Sequence, residues 1–526
     1  MAQALSDKII AINDTKTLVG RQLLEIITIG MYNDSKMIIR EYIQNSVDAI
    51  DEAIENQRIE LADAKIDIWI DGKNRNILIE DNGVGVSNKD IESALCSIGL
   101  SRKDPTRQRG FRGIGRLGGL GYCDELQFIT RNSPDEDVAI ITWNAKKFYE
   151  QINDKKDISN LSSVIQETVN IKYVPPNEQD SPHFFRVKLV NVPRFHRDDL
   201  MNIRELRKYL SQTAPVTYDK ESFSFTDKIE GHISEVPGYR CYKININGLQ
   251  ILRPYADIIP IRDKRTDTIR DIELITFQGA DGKVIGKGWY AKTNYLASLP
   301  FSVSMRGIRI RQGNIEVADE SLLDKVYTEK RFASWHVGEI QIGYDLKLNA
   351  RRDDFEPSPE SERLLEQLTV LGRYLSNLCR ESSKIRTEKS TIENKLTLID
   401  SEIKYLPFFN TTDLEKKRSS ILDYLNEVES LKYIVENDGD ILSRVEKIRR
   451  ELDNVQQSSR HLENNLLPQN CITHSHIEII QDMCHDFLEN YDRCSTAGEL
   501  LFLMLKPYLK DSVEKEAATQ SFEPPD

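Results

Sequence analysis

Seven glycines fall between residues 99 and 121: Gly99, Gly110, Gly113, Gly115, Gly118, Gly119 and Gly121. Glycine loses more conformational freedom on ordering than any other residue, so this stretch carries too much backbone freedom for a helix interior. The segment is expected to be a mobile loop ending at a helix N-terminus. Its flanks read as sheet. Upstream, IDIWI (66–70) and NILIED (76–81) alternate apolar and polar residues around DGKNR, the pattern of a β-hairpin whose second strand runs into DNGVGV. Downstream, LQFITR (126–131), VAIITW (138–143) and FFRVKLVNV (184–192) read as strands, and IRELRKYL (203–210) as a closing helix.

Ahead of the hairpin, apolar residues from Leu23 to Val47 recur at helical spacing with a break near Tyr32–Ser35, which predicts two helices. The second contains EYIQNSVDAI (41–50) and sets Glu41, Asn45 and Asp48 at i, i+4 and i+7, on one face. An asparagine oxygen suits a hard cation, and a glutamate one turn earlier can orient and deprotonate a water, the pairing that hydrolysis of a magnesium nucleotide requires. Asp81, ending the hairpin, can accept a hydrogen bond from an exocyclic amine, while Gly83 and Gly85 would let backbone approach a purine ring. The stretch GFRGIGRLGGLGYC (110–123) then supplies backbone N–H groups for phosphates, with Arg109, Arg112 and Arg116 as nearby positive charge.

ExxxNxxD on a helix, then DNGVG, then IGRLGGLG resembles the GHKL superfamily of ATPases, which includes gyrase-type topoisomerases, heat shock protein 90 chaperones, MutL, MORC proteins and histidine kinases. The resemblance covers about residues 20 to 215. It implies Glu41 as general base, Asn45 as magnesium ligand, Asp48 as an orienting neighbour and Asp81 as adenine reader. Gly83 and Gly85 would form the base-contacting turn, and the loop carrying Gly113, Gly115, Gly118, Gly119 and Gly121 the phosphate lid. ATP and Mg2+ are the implied ligands. The sequence departs from the chaperones at PHFFRVKLV (182–190), which lacks the threonine of their Gly-Thr strand.

Residues 220 to 355 are rich in β signals, with a helix expected at SLLDKVY (321–327). Within them DLKLNARRDDFE (345–356) resembles the LN-x-x-RE stretch of the heat shock protein 90 middle domain, whose arginine reaches the ATP γ-phosphate. Register assigns that role to Arg352, with Arg351 as the alternative. GIRIRQGNI (307–315) would belong to a domain similar to the ribosomal-S5-like fold that follows the ATPase domain in chaperones, MutL and topoisomerases. From 360, leucines and isoleucines step by three and four to Pro407, and a second helix follows the capping run Thr411, Thr412, Asp413, the pattern of an antiparallel coiled-coil hairpin. The expected architecture is α+β throughout the first two domains: a GHKL ATP-binding α/β sandwich (1–218), an S5-like transducer or middle domain (219–358), a helical coiled-coil hairpin (359–465) and a small helical C-terminal unit with a disordered tail (466–526).

The net charge of −13 argues against indiscriminate coating of nucleic acid. The longest apolar run near the C-terminus, LLFLML (500–505), is too short to span a bilayer, so no membrane association is expected. Seven cysteines without a CxxC pair fit reduced thiols, and with no leader-like N-terminus the expected address is the cytoplasm. Cys471, His474, His476, Cys484, His485 and Cys494 lack zinc-ligand spacing and read as core thiols and surface imidazoles. No histidine precedes His183, which speaks against a histidine kinase with an upstream phosphoacceptor. The reading is an ATP-hydrolysing dimeric switch, most similar to heat shock protein 90-like proteins, acting on a protein partner. The alternatives are a MORC- or MutL-like clamp on DNA, in genome maintenance or anti-phage defence, and a scaffold that holds nucleotide without hydrolysing it.

Overall fold

A computed structural model describes residues 34–96, 115–134, 136–153, 161–194, 198–349, 352–404, 406 and 411–464. The expected first helix near residue 23, Gly99, Gly110 and Gly113, Arg109 and Arg112, Arg351 and the C-terminal Cys/His segment lie outside these residues. The chain divides into two compact units, Met1–Lys384 and Ile385–Asp526.

The first unit holds two large sheets. Helix α1 (Met37–Glu55) lies on one of them because Ile38, Ile39, Tyr42, Ile43, Val47 and Ile50 recur at helical spacing and meet Ile66, Ile68, Ile77, Ile79, Leu126 and Phe128 in one core. The predicted hairpin is β1 (Lys65–Asp71) and β2 (Asn76–Asp81), antiparallel with Ile66 opposite Asp81. β3 (Glu125–Arg131), β4 (Val138–Asn144), β5 (Val169–Val174) and β6 (Phe184–Val190) complete its meander side, with α2 (Ala145–Asn153) and α3 (Leu161–Thr168) between β4 and β5, and α4 (Ile203–Thr213) after β6. The sheet order is β5-β4-β3-β6-β2-β1-β7-β8.

Its far edge corrects the sequence reading. β7 (Lys243–Ile246) pairs parallel with β1, Ile244 beside Ile66, and β8 (Leu249–Gln250) follows it, so a sheet expected to be complete near residue 218 recruits strands beyond that point. Helix α5 (Thr226–Ile233) intervenes. After a small ladder of β9 (Ile258–Pro260) and β10 (Thr266–Thr268), the second sheet comprises β11 (Asp271–Gln278), β12 (Val284–Lys292), β13 (Gly307–Gln312), β14 (Ile315–Glu316) and β15 (Val337–Ile342), in the order β11-β12-β15-β13-β14. The segment expected as an α-helix at 321–327 is instead a 3₁₀ helix, Glu320–Val326, started by the Asp319 carboxylate accepting from the Ser321 N–H.

Every residue of β13 and β15 is buried, including Arg309, Arg311 and Glu339. Burial of charge is tolerable only with close partners. The Glu339 carboxylate accepts from Arg253 at 2.5 Å, Arg311 at 2.7 Å and Tyr218 at 2.7 Å, and Arg309 pairs with Glu316. Burial pushes the Glu339 carboxyl up, yet Arg253 and Arg311 together hold it below the usual carboxylate range.

Helix α6 (Pro359–Ile403) begins in the first unit, where Leu364, Leu368, Leu375 and Cys379 cover the second sheet. In the second unit its later residues Ile392, Leu396 and Ile399 share a core with α7 (Thr411–Ser430), α8 (Lys432–Asn437) and α9 (Gly439–Asn464) through Ile421, Leu425, Val445 and Ile448. The helix after Gly439, read from the sequence beyond the two-helix hairpin, is α9, which joins the same core, tied to α6 by Arg444–Asp400 at 2.5 Å and to α7 by Arg449–Glu429 at 2.5 Å.

Candidate active site

Helix α1 presents a stripe of half-buried residues, Glu41, Asn45 and Ala49, between rows that are fully buried. A spacing of four keeps them on one line along the helix, so a carboxylate and an amide oxygen face the same space. The Glu41 side chain is 14% exposed and lies 3.9 Å from the Arg40 guanidinium. Asp48, seven residues on, stays within about 20° of Glu41 around the helix, as expected, but is buried where Glu41 and Asn45 are half-buried. Ala49 takes the third place in the stripe.

The turn after β2 packs against this helix. Asp81 is buried, and its Oδ1 accepts from the Gly83 N–H at 3.0 Å. The Val84 N–H donates to the Ala49 carbonyl at 3.1 Å, and a His183 Nδ1 to Gly83 oxygen distance of 2.8 Å fixes the other side of the turn. The two glycines also answer a packing need that the sequence did not suggest. A Cβ on Gly83 would stand 2.7 Å from Ala49, and one on Gly85, at φ +66°, 2.1 Å from the Arg131 carbonyl oxygen. They admit α1 and β3 to the turn, which is where their missing side chains would point. Thr130, on β3, is a residue the sequence reading missed: its hydroxyl accepts from the Val86 N–H at 2.9 Å and donates to the Phe184 carbonyl at 3.0 Å.

The glycine-rich segment is half corrected. From Gly115 to Tyr122 it is a 3₁₀ helix, and Leu117, Gly118, Gly119 and Leu120 are buried, while Gly115 and Gly121 are half-buried. Tyr42 explains the order: its hydroxyl donates to the Arg116 carbonyl at 3.1 Å and accepts from the Gly119 N–H at 3.0 Å. A Cβ on Gly119 would lie 2.2 Å from that hydroxyl oxygen. Burial lowers Arg116 to about 10, which leaves it cationic at neutral pH beside the stripe's helix.

Arg352 reaches α1 from the second sheet's side of the unit. Leu348 and Phe355 bridge the base of its loop, the Arg352 N–H donates to the Asn349 carbonyl at 3.1 Å, and the residue sits at φ +58°. Its guanidinium Nη1 donates to Gln44 Oε1 at 2.7 Å. Burial pulls its pKa down, and Glu41 is the foremost group opposing that fall, so a cation from residue 352 lies within the field of the α1 carboxylate. Among the described residues no group of three or more His, Cys, Asp or Glu side chains comes together as a metal site, and no helix is long and apolar enough to cross a membrane.

A helix bearing a carboxylate–amide stripe, laid on a mixed sheet beside a buried aspartate turn and a glycine-rich segment, defines a GHKL-type ATPase domain, and residues 32–174 match the model of the histidine kinase-, DNA gyrase B-, and HSP90-like ATPase family. Among curated proteins the chain is similar to the chaperone protein HtpG of Coxiella burnetii, 36% identical over 87 residues, or 15% of this chain and 14% of the relative. It is similar also to HtpG of Mycolicibacterium gilvum, 26% identical over 138 residues (22% of this chain, 21% of the relative), and of Mycobacterium tuberculosis, 26% over 146 residues (24% and 22%). The chain thus spans less than a quarter of the length of each of these relatives in the matched part.

Proposed function

We propose that this protein hydrolyses ATP and uses the cycle to switch the conformation of a homodimer that acts on a protein partner. The observation that carries the reading is the meeting of Arg352 with α1, because it brings a cation from one part of the unit into the field of the proposed base in another. In that reading Glu41 accepts the proton of the attacking water, a role commonly worth about 10² to 10⁴ in rate. Arg352 pairs with the γ-phosphate and loses that contact on phosphate release, so nucleotide state and domain position become linked. Asp81 binds the adenine amine, and backbone N–H groups of the glycine-rich segment from Gly113 to Gly121, other than that of Gly119, which the Tyr42 hydroxyl takes, cradle phosphate.

The donor set fits Mg2+: Asn45 offers a hard amide oxygen half-exposed on the stripe, next to the Glu41 carboxylate, and such ions keep most of their coordination for phosphate and water. Mg2+ bound there would neutralise triphosphate charge; Asn45 would hold it and Asp48 would orient its neighbours from the buried side. The net charge of −13 supports a protein rather than a nucleic-acid partner.

Steady-state ATP hydrolysis by wild type and Glu41→Gln, with nucleotide binding and molecular mass followed on the same samples, tests this. The expected result is turnover by wild type and a variant that binds ATP, hydrolyses it at least about 100-fold more slowly and accumulates as a dimer. Binding without hydrolysis by wild type, even with candidate partners and duplex DNA added, would replace the enzyme with a nucleotide-holding scaffold. Duplex binding that weakens steeply with salt would move the partner from protein to DNA.

A further inference from the structure

Gln44 is 1% exposed on α1, between the isoleucine and valine positions that face the sheet. A buried primary amide is costly unless its polar atoms are bonded, and here Oε1 accepts from the Arg352 guanidinium, a residue 308 positions away in sequence. The loop that delivers Arg352 is itself built for the purpose. Asn349 receives the Arg352 N–H on its carbonyl, accepts from the Asp353 N–H on its side chain at 3.2 Å and donates to the Asp353 carboxylate at 2.6 Å, while the Ala318 N–H holds the Arg352 carbonyl at 3.0 Å. The backbone is thereby held at φ +58°, where a non-glycine residue stays only under such constraint.

We propose that Gln44 is the positioning residue for Arg352: its neutral amide holds the guanidinium beside the Glu41–Asn45 stripe and keeps it from collapsing onto Glu41. This rests on the ATPase reading above. The groups acting on the guanidinium are Glu41, Asp48 and Tyr344, which favour its charge, and Arg40, which repels it. Among these Glu41, the foremost attractor and not fully buried, is the partner an unheld guanidinium would take, and an ion pair there would occupy the carboxylate needed to accept a proton from water. An amide anchors a guanidinium without itself neutralising it. A carboxylate at position 44 would anchor it and cancel that charge as well.

The test uses the full chain and four variants: Gln44→Met, close in volume to the amide, Gln44→Glu, Arg352→Ala, and the Gln44→Met/Arg352→Ala double. ATP hydrolysis, nucleotide binding and thermal melting are recorded on each, with Gln44→Asn replacing Gln44→Met if the latter does not fold. The expected outcome is a fall in kcat of about tenfold for Gln44→Met with KM for ATP within about twofold, the size of one charge-assisted hydrogen bond. In the Arg352→Ala background the Gln44 change has no further effect, and Gln44→Glu falls at least as far as Gln44→Met. Wild-type kcat in Gln44→Met, or an equal fractional loss with and without Arg352, overturns the positioning role while leaving the ATPase reading intact. Absence of hydrolysis by wild type defeats the ATPase reading itself, whereas full activity of Arg352→Ala leaves hydrolysis standing and removes the γ-phosphate role of Arg352; the role of Gln44 falls with either.

Discussion

The hydroxyl of Tyr42 is a single group with two obligations, the Arg116 carbonyl and the Gly119 N–H. Removing it in Tyr42→Phe leaves both backbone groups in a buried setting, and a loss of about 1–3 kcal/mol is expected, read as a lower melting temperature at unchanged core volume. Gly119→Ala attacks the same contact from the other side, because its Cβ must displace that hydroxyl. The two changes should therefore be less than additive in a double-mutant cycle; strict additivity would show that the hydroxyl does not organise the segment. The residues with recognisable chemistry, Glu41, Asn45 and Asp81, could be singled out from spacing alone. Tyr42 and Gln44 could not: one counted as an apolar helix position and the other drew no reading, and each gains its meaning from a partner 74 or more positions away.

Among elements, the hairpin β1–β2 was legible to within a residue or two because strict alternation leaves little choice of period. β5 was passed over although VNIKYV (169–174) alternates apolar and polar residues; it is an edge strand with no fully buried residue, and Val169 and Ile171 pack on the core only in part. β7 was legible as a strand but not as part of the first sheet, since a parallel partnership across more than 170 residues leaves no local mark. β13 reads GIRIRQ, as if alternate residues were wet, yet both faces are covered and its arginines are matched within the protein. His336, just before β15, gives this region a pH signature: buried against Tyr327, it is lowered to about 3 by desolvation. The unfolded chain binds that proton near pH 6.5 and the folded chain does not, so stability is full above about pH 6.5 and is lost as pH falls toward 3. His336→Gln should flatten the dependence of melting temperature on pH in that window by one proton's worth; an unchanged slope would mean that the imidazole is not held neutral.

At the scale of the whole molecule, the second unit rests on a core of its own in which Leu396 is fully buried among three helices. Leu396→Ala should cost about 2–5 kcal/mol there, visible as earlier melting of helical signal. ATP hydrolysis at temperatures below that transition should be unaffected if the chemistry belongs to the first unit. Within that first unit one helix does several jobs. Over eleven residues α1 contributes Glu41 and Asn45 to the stripe, Tyr42 to the glycine-rich segment, Gln44 to Arg352, and Asp51 as acceptor for Arg240 and Tyr242. Since each residue turns the helix by about 100°, adding or removing one anywhere between Glu41 and Asp51 would swing every later contact away from its partner at once. A residue added to an exposed loop would disturb one connection, whereas a chain that gained or lost a residue in this helix would have to rebuild all of these attachments together.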